Sequence, residues 1–138
     1  MLGKCILLLL LVVHTWEDIR GKRLSGGFLI AAGVAAIIIY LFQQPFSRLS
    51  LLGGIGIGAF LLIFSILSRG GVGAGDGWLF CVTGMFLGFS ENMFLLMTAL
   101  LFSAGYALIL LLKKQCGRKK EFAFLPFVLS AYMLFLFR

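Results

Sequence analysis

The chain has 138 residues, 62% of them hydrophobic and 12% charged, with a formal net charge of +7. At a mean hydropathy of +1.12 a water-soluble domain is excluded, because so short a chain cannot hide that much apolar surface. The positive charge falls in short segments between apolar runs, which is the pattern of membrane topology rather than of nucleic-acid binding.

The first apolar run covers about residues 4–17. Lys4 followed by 6–13 has the shape of a signal peptide, but His14, Thr15, Trp16, Glu17 and Asp18 stand where a small-residue cleavage site would be, so a retained first helix is expected. A second run spans about 26–42 and stops at Gln43, Gln44 and Pro45. A third spans about 50–68 and leads into Arg69-Gly70-Gly71-Val72-Gly73-Ala74-Gly75-Asp76-Gly77. Apolar character resumes over 78–89, is interrupted by Ser90, Glu91 and Asn92, and continues to Leu112. A basic segment, 113–120, precedes a last run over 122–137. The runs do not alternate as barrel strands would, so helices are the expected spanning form.

Six crossings follow if Glu91 marks a turn. One side then holds nine basic residues (Arg20, Lys22, Arg23, Arg69, Lys113, Lys114, Arg118, Lys119 and Lys120) and the other three (Lys4, Arg48 and Arg138). With five crossings the 113–120 cluster changes sides and the asymmetry largely disappears. The charge bias therefore favours six, with the basic side cytoplasmic and both termini outside. The expected architecture is all-α, a polytopic membrane protein of about six transmembrane helices forming one domain over residues 1–138.

This topology returns Asp18, after the first run, and Asp76, after the third, to the same side of the membrane. Two facing aspartates suit peptide hydrolysis: one carboxylate takes a proton from water, the other donates one to the scissile carbonyl. Like charges at close range share a proton and titrate as a pair. Asp18 ends a helix and Asp76 starts one, so the helix dipoles predict that Asp18 more often carries the shared proton. Plainer readings exist for both. Asp76 could simply cap a helix, and Asp18 could pair with Arg20, Lys22 or Arg23.

Gly73-Ala74-Gly75-Asp76 is a G-x-G-D pattern, and Asp18-Ile19-Arg20-Gly21-Lys22-Arg23-Leu24 places an arginine and then an aliphatic residue after the first aspartate. In this order and at these positions the two segments resemble the prepilin peptidase (type IV leader peptidase) family of G-x-G-D intramembrane aspartyl peptidases, in a short form without the methyltransferase segment. The resemblance covers nearly the whole chain. It implies that Asp18 and Asp76 are catalytic and that the basic leader of a prepilin or pseudopilin is removed at the cytoplasmic membrane face, after a glycine that precedes an apolar helix. Ser25 and Gly26 replace the family's frequent proline and asparagine, and Trp78 replaces a frequent lysine. Pro126 loosely resembles a proline-containing motif before the family's last helix.

Gly73, Gly75 and Gly77 would let the backbone approach an extended substrate strand; a flexible connector is the alternative. Arg20 is expected to set topology, with a secondary role in holding an acidic substrate residue. Gly54 and Gly58 form G-x-x-x-G, expected to pack helices within the chain; a homo-oligomer stays open. His14 shares a helix face with Asp18 but is expected to be a satisfied packing histidine. Trp16, Trp78 and Tyr132 are expected as interface anchors and Glu91 as a solvated turn on the far side. Cys5, Cys81, Cys116 and His14 share no ligand spacing, so neither metal nor cofactor is expected. The competing functions are a non-enzymatic assembly factor or inactive relative, and a small transporter using carboxylates for protons.

Overall fold

The computed structural model describes residues 2–20, 26–43, 46–68, 73–112 and 124–137. Arg23, Ser25, Pro45, the glycines 70 and 71 and the basic segment 113–120 lie outside these residues. The regular elements among the described residues are all helices: α1 (Leu2–Ile19), α2 (Gly26–Gln43), α3 (Arg48–Leu67), α4 (Ala74–Leu112) and α5 (Leu125–Leu136). Of these, α2, α3 and α4 are long and apolar enough to cross a bilayer. Ile30, Ile66 and Leu101 are 71%, 80% and 72% exposed, a surface that suits lipid and not water.

Five helices stand where six crossings are expected, and the difference lies inside α4. Drawn straight, its 39 residues would reach roughly 58 Å at 1.5 Å per residue, against a hydrocarbon core of about 30 Å. It is not straight. Gly88 leaves the helix with φ 76° and ψ −173°, a region open essentially to glycine. Beyond it, the Asn92 amide donates to the Phe80 carbonyl at 3.1 Å. Twelve residues of straight helix would separate these by roughly 18 Å, so the chain doubles back at Gly88. The interruption expected at Ser90-Glu91-Asn92 is thus displaced. The cause is backbone conformation rather than polarity: Asn92 is fully buried and Glu91 half-buried.

The reversal is held by close packing and by polar bonds. Along α3 and the first half of α4, glycines let the backbones touch: Gly54 against Gly84, Gly58 against Cys81, and Gly77 against Leu62. The G-x-x-x-G pair therefore packs within the chain, as expected. At the turn, the Phe89 N–H donates to the Ser50 hydroxyl at 3.0 Å. Asn92 donates a second bond to the Gly54 carbonyl at 3.1 Å and accepts from the Thr83 hydroxyl at 2.8 Å. Two carbonyls can only accept, so the orientation of this amide is dictated by its partners.

α5 runs antiparallel to α1. Its Tyr132 hydroxyl donates to the Lys4 carbonyl near the start of α1 at 2.9 Å, and its first residue, Leu125, meets Thr15 and Asp18 near the end. Tyr132 is fully buried, so it is no interface anchor; its ring fills the core while its hydroxyl finds a backbone partner. Trp16 and Trp78 are 61% and 58% exposed, as anchors require. The core between these elements is apolar, with Leu7, Leu10 and Leu11 of α1 in one cluster with Leu79, Phe80, Leu95 and Val128.

Candidate active site

The end of α1, the start of α4 and the start of α5 come together at one end of the bundle. Asp18 is in the last turn of α1 and Asp76 in the first turn of α4. Both are half-buried, and Asp18 lies close enough for its charge to act on Asp76. The two carboxylates that the sequence singles out thus stand at the same end of the bundle.

Their surroundings differ. Asp18 Oδ2 accepts the Leu125 N–H at 3.3 Å, one of the amides that a helix start leaves without an internal partner. A hydrogen bond to a carboxylate favours its charged form. The expectation that Asp18 more often carries the shared proton considered only its own helix; the first turn of α5 supplies the opposite influence. The Asp76 N–H donates to the Gly73 carbonyl at 3.1 Å. A Cβ on Gly73 would stand 3.2 Å from Asp76 Oδ2, so a glycine there leaves room for the carboxylate.

The other glycines of the segment do something else. α4 begins at Ala74, so Gly75 and Gly77 are helical rather than part of a loop. A Cβ on Gly77 would come within 2.7 Å of the Leu62 side chain and 3.0 Å of the Leu62 backbone nitrogen. Gly77 is buried packing against α3, not a substrate cradle. Arg20 lies over the Trp16 ring, 4.6 Å from its centroid, a cation–π contact at the edge of the site.

His14 does not engage Asp18. Its Nδ1 meets Glu17 Oε2 at 3.1 Å, its ring stands edge-on to Phe28, and its buried Nε2 has no hydrogen-bond partner among the described residues. It packs in the core as expected, with one nitrogen bonded to a described residue. No group of three or more potential metal ligands occurs among the described residues. An open groove of about 430 Å³ runs along α1 past Val12, Val13, Trp16, Glu17 and Arg20, on the face of α1 turned away from Asp18. A cavity of about 340 Å³ lined by Lys4, Tyr40, Gln43, Ser50, Ser90 and Glu91 lies at the opposite end of the bundle and takes no part in this site.

A sequence model of the type IV leader peptidase family matches residues 5–108. The chain belongs to that family. Membership carries protease activity in general, and with three long apolar helices it makes the chain a membrane protein. No curated protein and no solved structure matches the chain. The match spans both aspartates and ends before α5, yet Leu125 of α5 is bonded to Asp18. Two contributors to this peptidase's site escape the sequence reading. One is the Leu125 backbone, which carries no side-chain signal. The other is Thr15, whose hydroxyl donates to the Leu125 carbonyl at 3.4 Å. Its position one turn before Asp18 was the only clue.

Proposed function

We propose that the chain is an aspartyl endopeptidase that removes the basic leader from type IV prepilin-like proteins at the cytoplasmic face of the membrane, with Asp18 and Asp76 as its catalytic pair. The observation that carries this reading is the meeting of two half-buried carboxylates from distant parts of a type IV leader peptidase chain, one within the electrostatic reach of the other. Two such carboxylates share one proton. The ionised member draws a proton from water as the water oxygen attacks the scissile carbonyl carbon, and the protonated member donates to the carbonyl oxygen; the tetrahedral intermediate then collapses, the C–N bond breaks, the first carboxyl gives its proton to the leaving amine and the second recovers its own. No cofactor is needed for this chemistry.

Gly73, beside Asp76, is the glycine of the segment placed to admit an extended strand.

The test is cleavage of prepilin-like and pseudopilin-like substrates in lipid by wild type, Asp18→Asn and Asp76→Asn. Cleavage by wild type, lost in each variant while both remain folded, is the expected result. Undiminished cleavage by either variant would remove the two-aspartate mechanism. Failure of wild type on every substrate would turn the reading toward a non-enzymatic assembly factor.

A further inference from the structure

α5 lies outside the residues that match the family, yet it reaches the aspartates. Leu125 is its first residue and is 1% exposed. The residue is held from both sides by one face of α1: its N–H donates to Asp18 Oδ2 at 3.3 Å, and its C=O accepts from Thr15 Oγ1 at 3.4 Å. Thr15 and Asp18 stand three residues apart, hence on one helix face. Pro126 follows in the first turn, where its fixed backbone angle starts a helix without loss of a needed donor. We propose that this clasp belongs to the active site: the Leu125 N–H fixes Asp18 as the ionised carboxylate that activates water, and Thr15 is a positioning residue that holds Leu125 in place. The inference rests on the two-aspartate reading given above.

Burial and its place at the end of α1 oppose the charge on Asp18, and a donated N–H at the start of α5 supports it. A hydrogen bond to a charged group outweighs a position near a helix end. Among the described residues Asp76 receives no such bond, and its place in the first turn of α4 gives the weaker kind of help. Among the described residues the charged and titratable groups near Asp18 are Asp76 from α4 and, on α1 itself, His14, Glu17 and Arg20. Among the described residues the first turn of α5 brings only backbone and apolar side chains, so its effect on Asp18 passes through the Leu125 N–H.

The experiment replaces the amide between Phe124 and Leu125 by an ester, which removes that single N–H and keeps both side chains. The bond from the Leu125 N–H lowers the pH at which Asp18 ionises, so its loss raises that pH. In lipid, the acidic limb of the kcat/KM profile should move upward by about half to one pH unit. The Asp18 carboxylate band, isolated by infrared difference against Asp18→Asn, should move with it. The ester also weakens the Phe124 carbonyl, which accepts from Phe127 and Val128; that costs stability but leaves the ionisation of Asp18 where it was. In parallel, Thr15→Val should lower kcat about threefold to tenfold with KM little changed, since misplacement of a catalytic group acts on the chemical step. Thr15→Ser should restore it. An ester protein whose Asp18 titrates with wild type overturns the clasp, and a Thr15→Val enzyme with wild-type kcat overturns the role of Thr15. The infrared titration needs no substrate. Were wild type to cleave nothing, a shifted Asp18 band would still support the clasp, and the proposed function alone would fall.

Discussion

The two ends of the first half of α4 follow opposite rules. At its far end, around Gly84, Gly88 and Asn92, backbones touch through glycines, the Asn92 amide is buried, and each of its polar atoms is paired. At its near end, Asp76 is half-buried, Trp78 faces outward, and the neighbouring carboxylate of Asp18 is held by one long bond to a backbone amide. The first end is built to exclude alternatives, since a buried amide without partners is costly. The second leaves both carboxylates partly exposed at the end of the bundle, as the proposed chemistry requires. A bundle needs the rigid end so that the loose end can be held in place.

That contrast can be broken by substitution. The largest effect is expected at the near end: Asp18→Asn or Asp76→Asn should lower cleavage about 10²- to 10⁴-fold while thermal unfolding in detergent stays close to wild type. At the far end the same measurements should reverse. Gly84→Val drives a side chain into the Gly54 backbone and should destabilise by about 3 kcal/mol, seen as a lower unfolding midpoint, with the surviving folded protein still cleaving. Asn92→Leu removes the donor to Gly54 and Phe80 and should cost about 2 kcal/mol in the same unfolding experiment, again with kcat preserved per folded molecule. The smallest effect belongs to Arg20→Ala. Loss of its contact with Trp16 should cost about 0.5–1 kcal/mol and change cleavage by about twofold at most. A larger loss of cleavage in that variant would assign Arg20 a direct role in substrate binding.

Much of this was legible in one dimension. Hydropathy alone called for membrane helices, and the runs expected over about 4–17, over about 26–42 and up to Leu112 lie in helices close to their expected bounds. Gly54 and Gly58 were readable as packing positions because small residues at helical spacing have few other uses. The break in α4 was legible in existence but misplaced: polarity drew attention to Ser90, Glu91 and Asn92, whereas the chain turns where only glycine tolerates the backbone angle, at Gly88. Asn92 looked like a turn residue because a buried, fully bonded amide and a solvated one have the same letter. Tyr132 looked like an anchor for the same reason.

The sequence by itself determined that the chain lives in a membrane, that it is helical, and that Asp18 and Asp76 are the acidic residues to watch; those conclusions rest on composition, periodicity and short motifs, which are local properties. Only the tertiary structure decided which groups touch them. The Leu125 N–H reaches Asp18 across 107 residues of chain, Gly77 is committed to Leu62 rather than to a substrate, and His14 turns to Glu17 and Phe28. Backbone donors look alike in any sequence, and which of them a helix start leaves free, and toward what, is settled by the packing of one helix against another.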